Sequence, residues 1–409
     1  MIPQTAQSKA ALIHTIRQAV NPPARPLPVS LRSLFGREFR TPLPVLQAVI
    51  AAVADKLYLA RVRNRRKTVE QQIGRIFTAS EYQLRLLFAA VVRDGTGYLM
   101  IVTDPKPALV FVPAYDGTIG AFSFTDGAIG IVGITDTGER LLTVFRTGTI
   151  ERYREQSQQW VRTETERWPY PIPLIEFGDG KSFVEPLIQL QDDLNLAVFD
   201  LLAANRAVGF PVRYILGSAS SDYLTNLFGQ PLIDATGAPI RRTITLEPGA
   251  FVRISEPNAE IGQLSASPPD ATTINTLLEL FSLFTGVPLF FFKGTVPSGA
   301  AIQAAEQRLN ATVERYQSLL SDPIRRVCAT LAALVANRQS DEDEWVVEWY
   351  PPQIETEELR AQRVKWVVEA VNAGLMSKEE AVRTIHPDWP EERIIEEVAK
   401  LNGSPEPGN

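Results

Sequence analysis

The segment Gly178-Asp-Gly-Lys-Ser182 carries the residue types closest to a recognisable chemistry, because Gly-Lys-Ser after an apolar strand and before a helix is how a phosphate-binding loop ends. The full pattern needs a further Gly at position 175, which holds Ile175, so the backbone lacks the means to wrap a phosphate and the segment reads as a turn leading into a helix. Gly127-Ala-Ile-Gly-Ile-Val-Gly133 has its glycines at every third residue among turn-rich strands, with no helix following, and reads as hairpin glycines rather than a dinucleotide fingerprint. Asp192 and Asp193 are adjacent on a helical pattern and point in different directions, with no further ligand in view, so they read as solvated acids rather than a metal site. Cys328 lies between Val327 and Ala329 in an apolar helical stretch and reads as a small core residue. One Cys rules out a cysteine-based zinc cluster, and with two His, His14 and His386, at opposite ends of the chain, a His-based triad or His-rich metal site would have to be assembled from almost nothing. The expectation is a protein that is not an enzyme and needs no cofactor or metal.

Composition narrows the classes further. A chain of 409 residues with 45% hydrophobic and 22% charged residues makes two or three packed units at roughly 150 residues each. A single Cys excludes an intrachain disulfide framework and fits a reducing compartment. Lys and Arg total 41 against 47 Asp and Glu, a net charge of −6, which argues against a protein that clamps a phosphate backbone through many cations. The local basic group Arg61, Arg63, Arg65, Arg66 and Lys67 fits nucleic acid or the acidic surface of a neighbouring subunit, and the second suits the acid excess better. The apolar stretches 44–60 and 277–292 are interrupted by Asp55 and Lys56, and by Glu279, Gly286 and Pro288, so no membrane span is expected. The start Met1-Ile-Pro-Gln lacks the basic flank and apolar stretch of a secretory signal, and the expectation is a soluble intracellular protein.

The elements that must hold these residues follow from hydrophobic period. A helix is predicted over residues 5–20, ended by Asn21-Pro22-Pro23, and an extended, proline-dotted, partly basic arm with Arg25, Arg32, Arg37 and Arg40 runs to Pro44. Residues 42–63 read as an amphipathic helix, and 80–93 as a second, with Ser80 as its capping candidate. From 94 to about 168 short β-branched runs alternate with Asp-Gly and Thr-Gly turns, the pattern of an antiparallel meander. A long helix over 183–207, strands at 212–216, 243–246 and 250–254, a helix over 272–285, and a loop containing Phe290-Phe-Phe292 follow. The longest helix is expected over 300–337, faltering at Pro323, then a strand at 345–349 and two or three helices over 356–401.

Taken in order, these pieces resemble the portal proteins of tailed double-stranded DNA bacteriophages of the siphophage type. The resemblance is carried by Val53-Ala-Asp-Lys-Leu57, Asp94-Gly-Thr-Gly-Tyr98, and Ile172-Pro-Leu-Ile-Glu-Phe177 leading to Ile188-Gln-Leu-Gln-Asp-Asp-Leu-Asn195. It continues through Phe284-Thr-Gly-Val-Pro288, Pro297-Ser-Gly-Ala-Ala301 and Asn372-Ala-Gly-Leu-Met-Ser-Lys-Glu-Glu-Ala381, and covers about residues 45–400.

The resemblance implies an α+β portal fold: a wing over 1–182 with an N-terminal arm, a first stem helix over 183–207, a clip over 208–264 and a second stem helix over 265–286. A tunnel loop over 287–299, a long wing helix and strand over 300–354, and a helical crown with a tail over 355–409 complete it. It implies a homo-oligomeric ring, typically a dodecamer, at one capsid vertex of a virion assembled in the host cytoplasm. Double-stranded DNA would pass through it during packaging and ejection, and the terminase large subunit, the major capsid or scaffolding protein and a head-completion adaptor would be its partners. The tunnel loop would comprise Val287, Pro288, Leu289, Phe290, Phe291, Phe292, Lys293 and Gly294, with the phenylalanines between adjacent subunits and Lys293 touching phosphate, or else packed in the subunit's own core. Asp192, Asp193 and Asp200 would line the channel; twelve copies at −6 sum to on the order of −72, and an acidic lining repels DNA and lets it slide. The alternative is another ring or scaffold component of a virion or contractile injection system.

Overall fold

The computed structural model describes residues 2–21, 43–209, 212–216, 230, 232–239, 260–264, 271–294, 299–335, 340–352, 357–386, 389 and 391–403. In chain order the first elements are α1 (Gln4–Val20), α2 (Val45–Ala54), β1 (Leu59–Asn64), α3 (Lys67–Ala79) and α4 (Glu81–Asp94). Eight strands follow: β2 (Gly97–Val102), β3 (Ala108–Pro113), β4 (Gly120–Ser123), β5 (Ile129–Ile134), β6 (Arg140–Arg146), β7 (Gly148–Gln156), β8 (Gln159–Trp168) and β9 (Leu174–Phe177). A single 3-10 turn leads into α5 (Ile188–Gly209), then β10 (Val212–Leu216), β11 (Glu260–Leu264), α6 (Thr272–Thr285), the one-turn α7 (Phe290–Lys293) and α8 (Gly299–Val335). The chain continues with β12 (Trp345–Trp349), α9 (Glu357–Asn372), α10 (Lys378–Ile385) and α11 (Glu391–Gly403). It divides into two compact units, one of residues 1–13, 50–182 and 286–409, the other of residues 14–49 and 183–285.

The first unit is built on antiparallel sheets, as the Asp-Gly and Thr-Gly spacing predicts. β3-β2-β9 form one sheet and β4-β5-β6-β7-β8 a second, each of the latter's strands pairing with its neighbour in sequence through short turns. The first half of α1 packs against both through small or branched residues: Ala6 and Ala10 meet Tyr115, Phe122, Val132 and Leu142, and Ile13 meets Tyr98, Ile129 and Phe145. Between Trp160 and Trp168, which pack on the core, the edge strand β8 is mostly polar and exposed; Arg152 of β7 holds its Glu164 at 2.6 Å and Glu166 at 2.9 Å, and exposed charge of this kind discourages stray strand pairing.

Several expectations change. The helix anticipated over 42–63 stops at Ala54, and residues 59–64 form β1, because pairing with β12 buries Val62 and joins Arg61 and Arg63 to Glu348 across the ladder. The basic group is not a link between two helices; its last member, Lys67, opens α3, whose Ile73, Ile76 and Phe77 form a buried stripe at helical spacing that the surrounding charge obscures. Ser80 precedes α4 but makes no side-chain cap; its Oγ accepts the backbone N–H of Leu109 at 3.1 Å and ties the helix to β3. α8 runs through Pro323 without ending. Leu309, Val313, Leu320, Ile324, Val327 and Leu331 are all fully buried along it, and that packing outweighs a proline penalty of about 3 kcal/mol. The strands expected at 243–246 and 250–254 and the arm at 22–42 lie outside the described residues.

Lys56, just after α2, reaches into the space beside α8. Its Nζ donates to Glu306 Oε2 at 2.6 Å, Asn310 Oδ1 at 3.1 Å and the Pro352 carbonyl at 3.1 Å, with side-chain exposures of 13% and 12% for the ion pair. Lys56→Met would leave the Glu306 carboxylate buried without its counter-charge. Chemical denaturation is expected to show a stability loss of about 3 kcal/mol; a loss under about 1 kcal/mol would mean the pair is dispensable.

Candidate functional site

The glycine-rich segment 178–182 is packed against the end of α4 rather than arranged around an empty cradle. Gly95 closes α4 in the left-handed conformation, φ 74°, with its N–H bonded to Val91 O at 2.9 Å. Gly180 N–H then donates to Gly95 O at 3.0 Å, the Ser182 hydroxyl donates to Arg93 O, and Asp179 folds back to accept Lys181 N–H at 3.0 Å. A Cβ on Gly178, at φ 101°, would stand 2.1 Å from Gly95 O. Backbone from the neighbouring turn therefore fills the space a phosphate would need. The Arg93 guanidinium forks onto Asp94 at 2.7 and 2.8 Å; burial alone would lower the Arg93 pKa, and the carboxylate outweighs it and raises the pKa.

The other chemistry-bearing side chains are equally committed. Cys328 is fully buried in α8, and burial pushes its thiol pKa well up, the opposite of a nucleophile's environment. His14 is exposed and bonded to Gln18 at 2.7 Å; His386 stacks on Trp389 at 3.8 Å, with Arg393 on the same ring at 4.1 Å. Within the basic group, Arg61 and Arg63 both engage Glu348, Lys67 faces Glu70 at 3.6 Å, and Arg65 and Arg66 are exposed with no ion-pair partner among the described residues. No group of three or more possible metal ligands occurs among the described residues. No helix searched among them is long and apolar enough to cross a membrane.

The second unit places two helices side by side. α5 and α6 pack against each other, burying Leu194 and Phe281 completely. The buried side of α5 also carries Gln191, which is only 2% exposed and fully occupied: its Nε2 donates to Leu43 O at 2.9 Å and its Oε1 accepts Leu46 N–H at 3.2 Å. Asn195, one turn on, accepts Leu43 N–H at 3.0 Å, so this pair supplies partners to the backbone leading into α2. Nothing in the local sequence marks Gln191 and Asn195 for that task except their four-residue spacing beside a proline-preceded helix start.

The opposite side of α5 exposes Asp193, Leu196 and Asp200, with Asp193 also accepting from Gln189 at 3.2 Å. Asp193 and Asp200 are seven residues apart and share a face; Asp192 is half-buried and about 100° round the helix, so the three acids do not form one cluster. α6 is apolar in composition, yet within its described length only Phe281 and Thr285 are buried, and Leu283 and Phe284 are 55% and 64% exposed. Gly286 follows it at φ 73°, its missing side chain leaving room for Arg308, whose Cβ would lie 3.1 Å from an added methyl.

Beyond Gly286, Val287 and Pro288 are buried and α7 forms a helical turn where a loop was anticipated. Phe290 and Phe291 stack with centroids 4.9 Å apart; Phe290 and Phe292 are half-buried, Phe291 is 44% exposed, and Leu289 is half-buried. The aromatic triplet is thus not absorbed into a core, and Lys293 and Gly294 are exposed.

A family profile described as "Phage portal protein, SPP1 Gp6-like" matches residues 91–399. The chain belongs to this phage portal protein family, and its mixed helix-and-sheet architecture is a portal-family fold. No curated protein matches the sequence significantly. Among solved structures, a chain from the virion of the native gene transfer agent (GTA) particle aligns at 16% identity and a TM-score of 0.47, over 91% of this chain and 98% of that one. A chain from the neck of the native GTA particle, computed with C12 symmetry, aligns at 14% identity and a TM-score of 0.48 over the same shares.

Gly178→Ala is expected to destabilise the fold by about 1–3 kcal/mol or more, through both left-handed strain and collision with Gly95, whereas Lys181→Ala is expected to change stability by less than about 0.5 kcal/mol. Thermal unfolding of the two variants checks this. A P-loop lysine would instead matter for nucleotide binding, which calorimetry with ATP would register in the Lys181 variant.

Proposed function

We propose that this chain is a portal subunit that assembles into a ring at one capsid vertex and passes double-stranded DNA during packaging and ejection. Membership of the phage portal family over residues 91–399 carries the reading. It is supported by the end of α6, where the adjacent Leu283 and Phe284 stand 55% and 64% exposed within one subunit, an apolar patch of the kind a partner covers. In this reading α5 and α6 are the stem helices and α7, within residues 287–299, belongs to the tunnel loop. Residues 208–264 form the clip that meets terminase and later a head-completion adaptor, 1–182 with 300–354 the wing that meets capsid or scaffolding protein, and 355–409 the crown. Arg65 and Arg66 are the members of the basic group available to a neighbour.

DNA passage is a matter of weak interaction. A chain with net charge −6, repeated about twelve times, gives a ring on the order of −72, and phosphates moving past exposed acids meet repulsion rather than a sequence of traps. Asp193 and Asp200 share the exposed face of α5 and are the acids assigned to that lining, with Asp192 to one side; Phe290 to Lys293 form the narrow point.

Negative-stain imaging and native mass of the purified chain are expected to show a ring with a central hole; a compact monomer with nucleotide turnover would overturn the reading. The pair Leu283→Asp and Phe284→Asp is expected to break the ring into smaller species while circular dichroism stays unchanged. Neutralising the lining with Asp193→Asn and Asp200→Asn is expected to slow DNA passage in a packaging assay, and unchanged packaging and ejection rates would remove these acids from the channel.

A further inference from the structure

A cavity of about 420 Å³ lies in the first unit between β1, α3 and α4. Every residue from Leu57 to Val62 borders it. Leu57 and Tyr58 precede β1, and within it the pairing with β12 shifts register between Leu59 and Arg61, a bulge at which successive residues turn to the same side. Asn64 N–H donates to Glu70 Oε2 of α3 at 2.9 Å, which identifies the edge facing away from β12, and the two-residue period turns the N–H and C=O of Val62 the same way. β1 pairs only with β12 among the described residues, so no strand occupies that edge.

The rest of the groove is aromatic and aliphatic, with two carboxylates, Glu70 and Glu81, and two guanidinium groups, Arg61 and Arg85, along its rim. Phe77 and Phe88 are buried in its floor, while Tyr58 and Tyr350, in edge-to-face contact at 6.0 Å, stand 37% and 49% exposed at its mouth. Both arginines are engaged within the chain, Arg61 with Glu348, which it shares with Arg63, and Arg85 with Glu81 at 2.8 Å. Glu70 has the weaker partner, Lys67 at 3.6 Å.

An open strand edge beside paired tyrosines and a carboxylate is the chemistry that recognises an extended, proline-containing, arginine-bearing peptide. This chain contains such a segment: Asn21-Pro-Pro-Ala-Arg-Pro-Leu-Pro-Val29, whose prolines fix φ and remove donors while their carbonyls remain acceptors. Residues 22–42 carry Arg25, Arg32, Arg37 and Arg40 against Glu38, a surplus of three positive charges in an acidic chain. The two ends of the segment are tied together, since Gln47 Nε2 donates to Asn21 Oδ1. Twenty-one residues anchored at both ends can reach at most about 30 Å from those anchors, at roughly 3.1 Å per extended residue.

We propose that the groove between β1, α3 and α4 is a docking site for residues 22–29 of a second copy of this chain, with Arg25 paired to Glu70 and the prolines against Tyr58 and Tyr350. It rests on the ring reading only for the presence of a neighbour. The test places photoreactive benzoylphenylalanine at the exposed groove residue Gln71 of the full chain, in a mixture of isotopically labelled and unlabelled copies. Mass spectrometry is expected to find cross-links to residues 22–32 that join the two isotope forms. Cross-links within one isotope form only, to another segment, or none in a sample whose native mass is a ring, would overturn the docking while leaving assembly intact. If the sample is monomeric, a fluorescent peptide of residues 21–31 is titrated instead; it is expected to bind the chain, and its Arg25→Glu form at least about tenfold more weakly. Equal binding by the two peptides, or none by either, would overturn the proposal.

Discussion

The close approach of two glycine turns, one at Gly95 and one at Gly178 to Gly180, is the constraint on which the first unit depends. Gly95 ends α4 and lets β2 begin two residues later; the segment after β9 then lies directly on that turn, hydrogen-bonded through Gly180 N–H and the Ser182 hydroxyl. Because β2 and β9 pair from Gly97 opposite Phe177, the turn also sets the register of the three-stranded sheet. No side chain fits at Gly178, where a Cβ would meet a carbonyl at 2.1 Å. Residues that look like a nucleotide loop are thus the joint at which the chain leaves one compact unit, at Ser182, for the other.

In the second unit the dominant constraint is amphipathic rather than steric. α5 spends one side on Gln191 and Leu194, both buried, and leaves Asp193 and Asp200 on the other. Gln191 is a buried polar group that costs little because both ends of its amide find backbone partners near α2. α6 closes one flank of α5; its exposed residues are mostly polar, with Leu283 and Phe284 the exposed apolar pair near its end.

Much of the architecture was legible in the sequence because it rests on period and punctuation. α1, α4 and α6 lie within a residue of their expected spans, and the meander appears wherever Asp-Gly and Thr-Gly separate β-branched runs. The misreadings cluster where tertiary partners overrule local pattern. β1 carries Leu59, Ala60 and Val62 among arginines and continues an apolar helical run, so only its pairing with β12, nearly 290 residues away, makes it a strand. Pro323 is tolerated in α8 because the surrounding side chains are completely buried. α7 forms a helical turn after a buried Val287-Pro288 pair that gave no periodic signal.

By itself the sequence determined the order of elements, the scarcity of histidine and cysteine, the acid excess and, through motifs spread over most of its length, the family. Those properties follow from residue type and short-range spacing, which survive in one dimension. Only the tertiary structure decided that Gly178 to Ser182 packs on backbone rather than cradling phosphate, that Asp193 and Asp200 share an exposed face while Asp192 does not, and that Gln191 and Asn195 serve a distant helix start. Each of these is a relation between residues far apart in the chain, set by which backbone approaches which, and a spacing rule contains no term for that approach.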